Sequence, residues 1–222
     1  MRTTRRWWWW AGVPAVALTF GGIAGGQQPQ PAVTLASAAD LAAWEIVTDP
    51  ASTLADACTA GSGGVIAVTG TPTGFIATKA AFRNYRMHAE WRWPGKPGNG
   101  GVLLHISSGP KDRQWPLSFQ VQLKNTAVGD LLPMAGSTFG ETLSTPPGAK
   151  TPALAHTAPD SERPAGDWNT CDIICREDTI EVVINGVRQN LVTRCSLSEG
   201  RVGFQLEGTP FEIRNVTIAP LR

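Results

Sequence analysis

Between Tyr85 and Trp93 the chain alternates without a break. Tyr85, Met87, Ala89, Trp91 and Trp93 fall on one side; Arg86, His88, Glu90 and Arg92 fall on the other. A period of two dictates an extended strand with two unlike faces. The apolar face must find a core. The opposite face carries charges of both signs, which suits a sugar-binding sheet and suits an ordinary solvated sheet equally well.

The same pattern recurs along the chain. Strands are expected at Val33–Leu35, Val65–Thr69, Gly74–Thr78, Val102–Ile106, Ser118–Lys124 and Gly129–Met134. Later ones are expected at Trp168–Arg176, Ile180–Asn185, Val187–Thr193, Arg201–Glu207 and Phe211–Ala219, with Asn185-Gly186 as a hairpin turn. Ala38–Ala43 reads as one helical turn, and Ser107–Trp115 as a polar loop. Residues 137–166 are rich in Thr, Pro, Ala and Ser and hold no periodic segment. A connection this long in a compact domain is functional or disordered. About a dozen short strands separated by turns argue an all-β, two-sheet antiparallel sandwich.

The first 26 residues read as a signal peptide or N-terminal anchor: a basic end, then an apolar run to about Ala24. Thr4-Arg5-Arg6 before Trp7 loosely resembles a twin-arginine signal. The apolar run is shorter and richer in glycine than the ~20 residues a spanning helix needs, so cleavage near residues 24–28 is favoured over membrane anchoring through the leader. Residues 27–32 form a linker, and 33–222 are expected to be a single domain. The expected location is secreted, periplasmic or in the cell envelope. Without the leader's three arginines, the 19 basic residues fall slightly below the 18 acidic ones, and no basic stripe is present. No nucleic acid is expected as a partner.

Four cysteines, Cys58, Cys171, Cys175 and Cys195, suggest two disulfides in an exported chain. Cys171 and Cys175 sit ~13 Å apart along one strand, too far to bridge. Two pairings stay open: Cys175–Cys195 with Cys58–Cys171, which is preferred, or Cys58–Cys175 with Cys171–Cys195.

Strand parity places the candidates for chemistry. Glu90 and Arg92 oppose Trp91 and Trp93. Gln120, Gln122 and Lys124 oppose Phe119, Val121 and Leu123. His105 opposes Leu104 and Ile106, and Gln205 and Glu207 oppose Phe204 and Leu206. If every apolar face meets in the core, these residues share one polar surface, as a carbohydrate groove requires. Asp130 beside it and Trp115, able to stack on a sugar ring, complete the set. Each has a plainer reading. Glu90 and Arg92 can pair across strands, His105 can close a strand, and Glu207 can brace a turn. Asp130 can belong to a turn, and tryptophan is more often buried than exposed.

Taken in order, a series of segments resembles a known family. They are Asp40-Leu41-Ala42-Ala43-Trp44, Glu90-Trp91-Arg92-Trp93, Asn99-Gly100-Gly101-Val102-Leu103-Leu104 and Gln120-Val121-Gln122-Leu123. Gly166-Asp167-Trp168-Asn169-Thr170, Gly203-Phe204-Gln205-Leu206-Glu207-Gly208 and Phe211-Glu212-Ile213-Arg214-Asn215-Val216 follow. Their order and spacing over residues 33–222 are similar to the exported 3-keto-disaccharide hydrolase domain family.

The resemblance implies a concanavalin A-like jelly roll whose concave sheet binds sugars. It also implies cleavage of glycosides already oxidised to a ketone at C3. Such chemistry needs a base for the C2 proton, a cation or donor for the enolate oxygen, and an acid for the leaving oxygen. Glu207 or His105 is expected as base. Arg92 or a divalent metal ion is expected at the enolate, and Glu90 or Asp130 as acid. Gln120, Gln122, Gln205 and Trp115 are expected to bind the carbohydrate. One departure stands out. The family's strand is expected to open with Glu where this chain has Gln120, and a neutral amide is no base. The alternative is therefore a non-catalytic carbohydrate-binding module.

Overall fold

The computed structural model describes residues 32–221; the expected signal peptide or anchor, and the expected linker as far as residue 31, lie outside them. Strands β1 to β6 are Val33–Leu35, Trp44–Thr48, Cys58–Ala60, Ile66–Val68, Gly74–Thr78 and Phe82–Arg83. Strands β7 to β10 are Tyr85–Arg92, Gly101–Asp112, Trp115–Gln122 and Leu131–Met134. Strands β11 to β15 are Asn169–Arg176, Thr179–Ile184, Val187–Val192, Glu199–Leu206 and Phe211–Pro220. Helical structure among the described residues is limited to single turns, one of them at Asp40–Ala43.

Two antiparallel sheets face each other in a jelly-roll sandwich. The eight-stranded sheet runs β13-β12-β11-β7-β15-β4-β3, with β1 added to β15. The seven-stranded sheet runs β10-β9-β8-β14-β5-β2, with β6 added to β14. Between them lies one core containing Trp44, Tyr85, Trp91, Trp93, Phe119 and Phe204. On β7 the expected alternation becomes a burial alternation, every second residue fully buried from Tyr85 to Trp91. Burying one such large side chain stabilises the fold by roughly 1.5–3 kcal/mol.

The seven-stranded sheet is unusual in burying its outer face too. Phe75, Ala77, Leu103 and Ile106 form a second apolar cluster there, with Val47 packed against it. Hence β5 is buried at all positions, and β14 from Val202 to Leu206.

Two expectations are corrected here, and an open one is resolved. The segment 107–115 is not a loop. Strand β8 continues to Asp112 and β9 starts at Trp115, so Arg113 and Gln114 form the tip of a long hairpin. The 137–166 segment is an ordered strap. Leu154 bridges Leu131, the Gly140 amide donates to the Thr193 carbonyl, and the Thr157 amide donates to the Gln189 carbonyl. The Glu162 carboxylate accepts from Trp93 Nε1 at 3.0 Å and Asn125 Nδ2 at 2.7 Å, anchoring its far end.

Finally, all four cysteines are free and buried, not paired. Strand order explains two of the missing bonds. Cys58 on β3 is separated from β11 by β4, β15 and β7, about 19 Å at ordinary strand spacing, beyond any disulfide. Burial pushes the Cys58 thiol up to about 11 and the Cys175 thiol up to about 12.

Candidate functional site

A groove of about 810 Å³ opens on the outer face of the seven-stranded sheet. Its floor is built by parity. Gln120 and Gln122 project outward from β9 and Gln205 from β14, while Phe119, Val121, Phe204 and Leu206 fill the core. Glu207 follows Gln205 on the same side, just past the end of β14. The hairpin tip, Asn99, the end of β10 and the strap residues Ala149 to Pro152 make the walls.

The three amides interlock. Gln120 Nε2 donates to Gln205 Oε1 at 3.0 Å and to Gln122 Oε1 at 3.2 Å, and Gln122 Oε1 also accepts from the Lys124 amide at 3.1 Å. Gln120 is 1 % exposed, yet its Oε1 has no partner. Nearby Asn99 Oδ1 is also buried and unpartnered. A buried acceptor without a donor carries a desolvation cost of about 1–3 kcal/mol, which a ligand hydroxyl would offset. Gly101 makes room for this network, because a Cβ there would stand 2.6 Å from Gln120 Nε2.

Glu207 is half-buried, and its Oε2 accepts from Asn99 Nδ2 at 2.7 Å. Burial pushes its carboxyl above the usual carboxylate range, and the charges of Lys124 and Arg113 pull it only part of the way back. A raised carboxyl in a polar groove that also holds two cations is the arrangement expected of a proton-transfer residue. Trp115 lines the same groove at the foot of the hairpin, largely buried.

The expected single polar surface divides in two. Gln120, Gln122, Gln205, Glu207 and Trp115 meet in the groove; Glu90 and Arg92 stand on the outer face of the other sheet. There Glu90 accepts from Arg214 Nε at 2.8 Å and Asn215 Nδ2 at 2.6 Å, and Arg92 Nε donates to Glu212 Oε2 at 2.5 Å. Burial works to raise the Glu90 carboxyl, but these hydrogen bonds outweigh it and hold it low. Arg214 and Arg92 both lie over the Trp168 ring, 4.1 and 4.7 Å from its centroid. Parity assigns a face within a strand, but not the sheet the strand joins.

His105 is displaced by a backbone irregularity. Its φ is +53°, and the β8–β9 register shifts between Leu104 and Ser108. The ring therefore turns into the core, edge-on to Tyr85 and Phe119, while Ile106 moves to the outer cluster. Burial lowers its pKa to about 4, against the hydrogen bond with the Leu197 carbonyl, which raises it. Asp130 also stands apart: its Oδ1 accepts from the His156 amide at 2.8 Å and lies 2.6 Å from His156 Nδ1, holding the strap.

Arg113, Lys124 and Lys150 line the groove as well. Parity placed Lys124 there, but nothing periodic marks the other two. For a divalent cation the donors do not fit. No group of three His, Cys, Asp or Glu side chains gathers among the described residues, and the groove acids Glu207 and Asp112 are interspersed with cations.

No curated protein matches the chain. Among solved structures it is similar to a putative glycosyl hydrolase from Parabacteroides distasonis, at 19 % identity and TM-score 0.59, covering 82 % of this chain and 89 % of that one. It is also similar to the carbohydrate-binding module CBM66 from Bacillus subtilis, at 14 % identity and TM-score 0.54, covering 80 % and 95 %. At such identities these likenesses speak to the fold, a concanavalin A-like sandwich. The model of the 3-keto-alpha-glucoside-1,2-lyase-like domain matches residues 31–219, and the chain belongs to that family.

Proposed function

We propose that the groove binds a glycoside oxidised to the ketone at C3 and breaks its glycosidic bond by elimination. The observation that carries this reading is Glu207: half-buried, raised above the usual carboxylate range, held by Asn99 and faced by Lys124. The ketone acidifies the C2 proton. Glu207 removes it, and the electron pair of the C2–H bond forms the enolate. The Lys124 ammonium balances the enolate oxygen. The enolate then collapses to a C1–C2 double bond as the C1–oxygen bond breaks. The proton taken by Glu207 passes to the departing oxygen, so one carboxyl serves as base and then as acid. Water adding across the double bond completes the hydrolysis.

The Gln120, Gln122 and Gln205 cluster supplies neutral donors and acceptors for ring hydroxyls, with Gln120 Oε1 as the open acceptor. The same cluster supports a second reading. A groove floored by three amides, with Gln120 where the family resemblance implies Glu, also suits a carbohydrate-binding module that turns nothing over. A chromogenic 3-keto-glucoside and its unoxidised parent separate the two. Release from the ketone alone supports elimination. Binding of both without release supports the module.

A further inference from the structure

A second cavity, of about 420 Å³, adjoins the groove and shares Arg113 and Gln114 with it. Its remaining walls are Val47, Thr48 and Asp49 at the end of β2, and Pro110 on the hairpin. The hairpin tip thus stands between two spaces on the same outer face.

Register shows how the two are connected. Gln122 pairs with Gly101, Val102 with Phe204, Gln205 with Phe75, and Phe75 with Val47. A single cross-strand row on the outer face therefore runs Gln122, Gly101, Gln205, Phe75, Val47. It begins in the amide network and ends at the wall of the second cavity. Along that row the chemistry changes from hydrogen-bonding amides to hydrocarbon. Gln205 and Val47 are two strand spacings apart, about 10 Å, the span of one ring and its neighbour.

We infer that the second cavity receives the aglycone of the substrate, and that this aglycone is a flat apolar or aromatic ring rather than a second sugar. The inference rests on the reading of the groove as the sugar site. Val47 and Pro110 offer hydrocarbon faces. Arg113 offers a planar guanidinium, which stacks on an aromatic face. A second hexose would need several hydrogen-bonding partners, as the groove floor provides. The second cavity has three, Thr48, Asp49 and Gln114, the Thr48 Oγ1 buried and unpartnered, beside the hydrocarbon of Val47 and Pro110 and the guanidinium face of Arg113. An aryl ring needs none of the three and gains from leaving water.

The test is titration calorimetry with the methyl and phenyl 3-keto-glucosides on the Glu207→Gln protein, which does not consume them, and on the same protein carrying Val47→Trp or Arg113→Ala. Val47 is partly exposed and Arg113 lies at a hairpin tip; circular dichroism and thermal melts check that each variant folds before it is titrated. The expected result is a preference of about tenfold for the phenyl compound, falling to near unity in both variants. Equal affinities in the Glu207→Gln protein without a second change overturn this inference and leave the sugar reading standing. A preference that survives in both variants overturns the assignment to this cavity. Absence of binding by either compound overturns this inference and the sugar reading together.

Discussion

At the scale of single residues, two titratable groups show how burial sets behaviour. Glu207 is raised in the folded chain, so the folded state holds its proton more tightly than the unfolded state does. Its ionisation costs stability as pH rises through the folded pKa. Glu207→Gln is therefore expected to raise the melting temperature at pH 7 more than at pH 4, while lowering turnover by 10²–10⁴-fold. Calorimetric melts at both pH values check the first half. His105 runs the opposite way, lowered to about 4 by burial. It contributes stability above its unfolded pKa and loses it as pH falls toward 4, on the order of 3 kcal/mol if the shift is full. Its imidazole resonance is expected to stay in the neutral position down to about pH 5; a midpoint near 6.5 would contradict the core placement. Both residues were visible in the sequence as outward-pointing candidates. For Glu207, β14 pairs regularly from Gly203 to Leu206 and parity holds. For His105, one left-handed φ turns the residue inward, and no composition or spacing marks that.

At the scale of elements, the alternating strands were legible and their irregular continuations were not. The 107–115 segment has no period because β8 and β9 slip register twice there, so it reads as a loop while forming the hairpin that walls the groove. Its start is held by a glycine. A Cβ at Gly200 would stand 2.4 Å from the carbonyl carbon of His105. Gly200→Ala is expected to cost about 2–4 kcal/mol in urea unfolding, and a cost below about 0.5 kcal/mol would show that β14 can move away from the bulge. The strap is held by polar contacts that sequence does not reveal. The Glu141 carboxylate accepts from the Thr193 amide at 3.0 Å and the Thr193 hydroxyl at 2.8 Å. Glu141→Ala is expected to expose 137–166 to limited proteolysis several-fold faster, with little change in far-ultraviolet circular dichroism.

At the scale of the whole molecule, the two sheets carry different surfaces. On the eight-stranded sheet, Glu90, Arg92, Glu212 and Arg214 neutralise one another around Trp168. On the seven-stranded sheet, polar atoms at Gln120 and Asn99 remain unpartnered beside a raised carboxyl. A structural surface satisfies itself, whereas a binding surface leaves groups for a ligand. The sandwich was legible from strand number and alternation, but the face that carries the proposed site was not, because Glu90 and Glu207 alternate alike and differ only in the sheet they join. The most direct test is turnover of a chromogenic 3-keto-glucoside by Glu207→Gln and Glu90→Gln side by side. The account predicts a loss of at least about a hundredfold in the first and a rate within about threefold of the unaltered protein in the second. A full rate from Glu207→Gln, or a collapse confined to Glu90→Gln, would place the chemistry on the other face and contradict it.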